Sequence, residues 1–499
     1  MGEIQKQGIT NAIITYAGFA FGFVNVLILY PILFSKEQFG LTRLYNDIGT
    51  TFAAFASLGV ASMIPRFLPY YIKDKSKDLI PMTLIIALIG TISLIVLTFL
   101  FREQIFNNYC EDNILFRQYA YLFIFIGVFN VLFSILSVYS NCSYNTNIVF
   151  FMAQFFNRAY PTLLLLCVYF KLFGFHVFIH LLALMSLIQV VVIVISLYKN
   201  NLLDFNYKVS LTTKNLGKAM LLFSGSIYIM MIIDALSNSL QVFTISDMKG
   251  IDTTAIFVVA SYISQIIQIP QKSIAAIAIP IVSTAWHNKD YTKIQSIYRK
   301  SSINMNIIGS LLFLVICLNI QHIFTLIGKG YDSGINIAIF MGVAYLIDVS
   351  FGINNEIIST SKYWKLNFLT HLMLLSIMIP MNYFFILRYG AIGSAYALII
   401  SLSVYNLIRM LFLFFKFRMM PFSLNTILVF GYSFFLFFIL KYLFSFFVMH
   451  CFKSNTINIF FEVSLKSTVV VILYVVPVYY FKISEEFNSV FNSIINKIR

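Results

Sequence analysis

Apolar runs of roughly 20 or more residues follow one another from Ile9 almost to the end of the chain, each long enough as a helix to cross a hydrocarbon core about 30 Å thick. Short polar connections separate them. The pattern predicts about fourteen transmembrane helices, with cores near 9–34, 44–66, 79–101, 117–139, 148–170, 175–198, 217–245, 254–284, 303–327, 335–358, 367–387, 391–415, 424–448 and 458–481. The first run exceeds the apolar part of a signal peptide and lacks a clear small-residue cleavage site, so it reads as the first span.

The connections supply orientation and hints of repetition. With the N-terminus in the cytoplasm, nineteen Lys and Arg fall on the inner side against nine on the outer, so the positive-inside rule predicts cytoplasmic termini at both ends. The second span ends with Pro65 and then Lys73-Asp74, the eighth with Pro280 and then Lys289-Asp290. The sixth opens at Phe173-Gly174 and closes at Lys199; the twelfth opens at Tyr389-Gly390 and closes at Lys416. Both matches lie six helices apart, an even offset that preserves orientation and predicts parallel repeats. The expected fold class is therefore all-α: a polytopic membrane protein with six-helix bundles at 1–205 and 206–420, then two extra helices and a cytoplasmic tail in 421–499.

Composition excludes other classes. Of 499 residues, 60% are hydrophobic and only 11% charged, far below the near-quarter charged share of soluble domains, so the bilayer acts as the solvent. The net charge of +15 comes from connections and forms no basic domain, which argues against nucleic acid as a partner. Cys110, Cys142, Cys167, Cys317 and Cys451 are scattered without CxxC or Cys/His spacing, so neither a zinc site nor a disulfide framework is expected.

Polar side chains inside spans must face protein or water, because lipid offers them no hydrogen bonds. In the first span Asn11, Thr15, Gly18, Gly22 and Asn25 share one helical face; in the second, Arg43, Asp47, Thr50, Ala54, Ser57 and Ala61 keep the same rhythm. The seventh carries Asp234, Asn238 and Gln241, and the eighth Gln265, Gln268 and Lys272, the last just after Pro270. Small and polar residues also cement membrane helices, so each stripe alone fits a tight helix contact; four stripes at equivalent places in two halves favour a cavity lining. The tenth span adds Asp348, Gly352, Asn355 and Ser359 on one face with Glu356 beside it, and the fifth carries Arg158 near Pro161. Arg66, Arg409 and Lys441 read as snorkelling side chains, and His180 and His371 as isolated packed polar residues.

Several stretches resemble the polysaccharide flippases of the multidrug/oligosaccharidyl-lipid/polysaccharide exporter superfamily. They are GFVNVLILYP (22–31) with EQFGL (37–41), LGVASMIPRFLPYY (58–71), KSSINMNIIG (300–309), IDVSFGINNEIISTSKYW (347–364), YGAIGSAYA (389–397) and FKFRMMPFSL (415–424). The resemblance implies two six-helix bundles facing each other across a central cavity lined chiefly by spans one, two, seven and eight, the striped helices. It implies as cargo a polyprenyl pyrophosphate carrying a short oligosaccharide, moved across the bacterial inner membrane for O-antigen or capsule synthesis. Drug/cation antiporters and lipid II flippases are relatives. Only Lys272 and Arg158 are intramembrane and basic, a departure from a strongly cationic cavity.

The expected chemistry is desolvation rather than bond making. Lys272 and Arg158 would pair with the phosphates, while Asn25, Asn238, Gln241, Tyr262, Gln265 and Gln268 would hydrogen-bond or stack with sugars. Asp47, Asp234 and Asp348 are candidates for an H+ or Na+ switch, although Arg43 stands one turn from Asp47 and can simply neutralise it. Besides the glycolipid, the expected partners are bilayer lipids and other polysaccharide-assembly membrane proteins. A cation-coupled drug exporter is the alternative within the class; a membrane polymerase or acyltransferase is the alternative outside it. The latter lacks support, because no catalytic constellation, phosphate loop or metal spacing stands out, and no cofactor is expected.

Overall fold

The computed structural model describes residues 14, 17–74, 76–101, 114–143, 146–200, 202, 209–328, 330–446, 455–489 and 492. Asn11, Thr15, Cys110 and Cys451 lie outside them. The described residues are helical and turn, with no strand. Among the described residues eleven helices are long and apolar enough to cross a membrane, or twelve if one bent pair is a single span, against about fourteen expected over the whole chain. The chain is a multi-pass membrane protein. By internal packing it separates into two compact units, Met1–Val258 and Val259–Arg499.

The first unit contains α1 (Ala17–Leu33), α2 (Lys36–Ala56), α3 (Val60–Lys73), α4 (Leu79–Leu100), α5 (Tyr121–Cys142), α6 (Asn147–Tyr169), α7 (Phe175–Lys199) and α8 (Leu211–Lys249). Ser35 caps α2 through a reciprocal pair of bonds with Gln38, which fixes where the second span begins. Its end departs from the expectation. Leu58 and Gly59 both take positive φ, 48° and 69°, and α3 leaves α2 at 63°. A side chain at Gly59 would also meet the Ser224 carbonyl at 2.6 Å. The rhythm from Arg43 therefore stops at Ser57, and Ala61 falls on a separate helix. Pro65 does not end the span either, since α3 runs on to Lys73.

Lipid supplies no hydrophobic force between helices, so close backbone approach does the packing here. A Cβ on Gly18 would stand 2.2 Å from the Gln154 carbonyl, and one on Gly90 2.3 Å from that of Ala56. Both glycines are contact surfaces. Wide turns, five residues at Asn25–Leu29 in α1 and six at Phe151–Phe156 in α6, shift the helical register beyond Asn25 and Gln154.

Helix α9 (Ile251–Gln265) begins in the first unit and ends in the second. The second unit continues with α10 (Ile269–His287), α11 (Tyr291–Ile327), α12 (Gly334–Ser350), α13 (Asn354–Ser359), α14 (Trp364–Tyr389), α15 (Ile392–Phe417), α16 (Leu424–Phe446) and α17 (Asn455–Tyr480). A single tight turn, Ile266–Gln268, separates α9 from α10 just before Pro270, which cannot donate a backbone bond to the preceding turn. The eighth span also passes its expected Pro280 end and runs to His287. At 37 residues α11 is about 55 Å long, more than a bilayer core needs. Its apolar side packs with α16 and α17 through Ile307, Leu314, Val429, Leu440, Val470 and Tyr474.

Span ten also differs. It breaks after Ser350, where Gly352 sits at φ 65° and a Cβ would lie 2.8 Å from Ser301 Oγ and 3.0 Å from the Ser302 nitrogen. Asp348 and Asn355 consequently belong to different helices, α12 and α13, rather than to one stripe.

Candidate functional site

In the first unit, Asn25 is buried at 3% exposure, where an amide needs partners. Its Nδ2 donates to the Arg158 carbonyl at 2.8 Å, and its Oδ1 lies 2.7 Å from Thr162 Oγ1. The side chain expected to hold sugar thus clamps α1 to α6. Arg158 is half-buried, with its guanidinium 4.0 Å above the Phe19 ring and Nη1 3.4 Å from the Gln154 carbonyl. Asp47 is buried and held by Arg43 Nε at 3.0 Å, the neutralising pair that one-turn spacing predicts. On α8, Asp234 and Asn238 are exposed whereas Gln241 is buried.

The second unit carries a polar network that the sequence reading split apart. Asp348 on α12 accepts from Gln268 Nε2 at 3.0 Å and from Asn406 Nδ2 at 2.8 Å; Asn406 Oδ1 in turn accepts from Asn354 Nδ2 at 2.8 Å. Arg409 lies one turn beyond Asn406 on α15 and is only 1% exposed. It is not a snorkelling side chain. Its Nε donates to Thr370 Oγ1 at 3.1 Å and its Nη2 to Asn367 Oδ1 at 2.6 Å, while the Tyr405 ring stacks 3.8 Å away. A charge buried this deeply persists only when hydrogen bonds and opposite charge replace water.

From Asn367 the chain of bonds passes to Asn355 at 2.9 Å and then to Glu356 Oε1 at 3.3 Å. Arg409 interacts electrostatically with both Asp348 and Glu356. The second Glu356 oxygen, Oε2, is buried with no hydrogen-bond partner among the described residues. His371 belongs to the same cluster: Nδ1 lies 2.7 Å from the Asn367 carbonyl and Nε2 3.1 Å from Tyr405 OH. Arg409, Asp348 and Glu356 thus belong to one buried cluster bridged by asparagine amides, and with both acids ionised their formal charges leave one net negative charge. Of the residues expected to bind cargo or ions, Gln268 and Asp348 meet here; Gln265 and Lys272 are exposed and Tyr262 is half-buried.

Two histidines also differ from expectation. His180 is not isolated, because His176 stands one turn before it with ring centroids 4.7 Å apart, and Tyr119 and Tyr121 each hold one of the two rings. That i,i+4 spacing was legible in the sequence. Among the described residues no group of three or more His, Cys, Asp and Glu is placed to hold a metal ion.

The described residues form a polytopic bundle of long membrane helices with buried polar clusters. No protein-family model and no curated protein matches the sequence. Solved structures do match: lipid II flippase MurJ in an inward closed conformation has a TM-score of 0.71 at 15% identity, covering 95% of this chain and 100% of its own. An inward-facing multidrug resistance MATE family transporter of the MOP superfamily has a TM-score of 0.61 at 14% identity, over 81% of this chain and 94% of its own. A MATE in complex with MaL6 gives 0.60 at 13%, over 83% and 96%. At these identities the likeness establishes the fold: this chain has the polytopic helical fold shared by MurJ and MATE transporters.

Proposed function

We propose that the chain is a flippase translocating a polyprenyl-pyrophosphate-linked oligosaccharide across the bacterial cytoplasmic membrane for O-antigen or capsule biosynthesis, driven by ion-coupled alternating access of two six-helix repeats, 1–205 and 206–420. The observation that carries the reading is the extent of the likeness to lipid II flippase, 95% of this chain, where the multidrug transporters reach 81–83%. A protein named for flipping a lipid-linked cargo is thus matched over nearly all of both chains. Lys272 and Arg158 are the proposed phosphate partners, with Asn238, Gln241, Tyr262 and Gln265 toward the sugars. Asn25 holds the helix that presents Arg158.

Coupling is assigned to Asp348, with Asp47 and Asp234 as further candidates. Entry of a proton or Na+ beside Asp348 and Glu356 changes the charge of the network that reaches Arg409 through Asn406, Asn367 and Asn355, so the two occupancy states favour different packings of α12, α14 and α15. The likeness to multidrug transporters, together with the exposed Asp234, favours cation-coupled drug export as the second reading. Binding separates the two. Purified full-length protein is expected to bind a fluorescent polyprenyl-pyrophosphate oligosaccharide, with Lys272→Ala weakening it about tenfold, near 1.4 kcal/mol. Tight binding of cationic dyes with none of the glycolipid sinks the flippase reading.

A further inference from the structure

The second unit contains a groove of about 890 Å³ between α11, α12, α16 and α17, within the range of small-molecule sites. Its two ends differ in chemistry. Phe313, Leu346, Phe430 and Phe434 line one part, and Phe434 remains 69% exposed. Lys441, Lys466 and Gln321 line the other. Gln321 and Lys441 lie within the last two turns of α11 and α16, and Lys466, which meets His322 of α11, lies in the first half of α17.

Lys466 is not simply a surface charge. Its side chain is 12% exposed on α17, eleven residues, or about 16 Å, into the helix. Nζ lies 2.7 Å from His322 Nε2 and 3.7 Å from Glu462 Oε2, and that oxygen lies 3.1 Å from the same histidine nitrogen. Lys441 stands over the Phe437 ring at 5.8 Å, and Lys466 over Phe444 at 5.7 Å. With His322 neutral, the formal charges of Lys441, Lys466 and Glu462 leave one net positive charge beside an apolar trough.

We infer that this groove binds a bilayer phospholipid with a singly negative phosphodiester head, its acyl chains against the phenylalanines and its phosphate between Lys441 and Lys466. Charge complementarity selects the head group. A phosphodiester carries one negative charge and matches the site; a phosphomonoester carries nearly two and a diphosphate more, leaving excess negative charge beside Glu462. Basic pockets between membrane helices hold anionic lipid heads in this way, at about 1 kcal/mol per Lys or Arg. The site is separate from the cargo-binding residues proposed above and stands whether or not the flippase reading does.

Native mass spectrometry of the detergent-purified full-length chain tests it, with phosphatidylglycerol, phosphatidylcholine and polyprenyl diphosphate as probes. Phosphatidylglycerol is expected to bind about tenfold tighter than phosphatidylcholine of the same chains, a preference lost in Lys441→Gln/Lys466→Gln. Lys441 is exposed, so Lys441→Gln alone gives a reading free of folding damage, with a partial loss. Glu462→Gln adds one unit of positive charge and is expected to raise the affinity for phosphatidic acid, a phosphomonoester. Equal binding of phosphatidylglycerol and phosphatidylcholine, or displacement of phosphatidylglycerol by stoichiometric polyprenyl diphosphate, overturns the inference.

Discussion

At the scale of single residues, buried charge decides what matters. Arg409 resembles Arg66 in the sequence, since both sit near the expected ends of apolar runs, yet their surroundings are opposite. Arg66 is exposed and rests its guanidinium 4.3 Å from the Phe223 ring; Arg409 is enclosed by Thr370, Asn367 and Tyr405. Replacing a buried hydrogen-bonding cation leaves its acceptors unsatisfied, at a cost of about 1–3 kcal/mol each. Arg409→Met is therefore expected to lower the thermal unfolding temperature of the purified protein sharply, while Arg66→Gln changes stability by no more than about 0.5 kcal/mol. Equal effects would show that the network around Arg409 is not what holds α14 to α15. Asp47 and Arg43 were legible because their partner lies four residues away; Arg409 was not, because its partners come from residues 367–370 and only folding brings them together.

At the scale of elements, the polar connection before α4 acts as a latch. Asp78 Oδ2 accepts from the Ser210 nitrogen at 2.8 Å and from Thr213 Oγ1 at 2.7 Å, Asp74 accepts from Thr212 at 2.9 Å, and Tyr71 OH meets Thr213 at 2.6 Å. These bonds tie the start of α8 to the end of α3. Burial opposes ionisation of Asp78, but the bonds from Ser210 and Thr213 outweigh it and hold the carboxyl below its ordinary value. A depressed folded-state value stabilises the latch above the ordinary carboxylate range, near pH 4, and that stability is lost as pH falls through the folded value. Protection of the amides at 210–214, measured against intrinsic exchange at each pH, is expected to fall below about pH 4 in wild type. Asp78→Asn is expected to exchange faster already at neutral pH. Exchange that ignores both acid and substitution would dismiss the latch.

The helices themselves were largely legible, since twenty apolar residues in succession have few other fates; their breaks were not. Leu58-Gly59 and Gly352 turn the backbone with little change in hydropathy, so the runs pass through them unmarked. Stripes drawn across those turns joined residues that the fold separates, as with Asp348 and Asn355. Gly18 of the first span serves close contact with α6, which the same stripe also allowed.

For the whole molecule, the helical fold shared with MurJ and MATE transporters encloses a buried polar network around Asp348 and Arg409, and the proposed cargo is a lipid-linked sugar. Composition and spacing reached the class because the bilayer constrains it severely. They do not reach the cargo, whose recognition depends on a few side chains on different helices. The most direct measurement is translocation of a fluorescent polyprenyl-pyrophosphate oligosaccharide in proteoliposomes holding the full-length protein, with and without an imposed H+ or Na+ gradient. The account predicts gradient-dependent flipping by wild type that falls about tenfold or more in Lys272→Ala and loses its gradient dependence in Asp348→Asn. Expulsion of cationic dyes under the same gradient, with the glycolipid left in place, would contradict it.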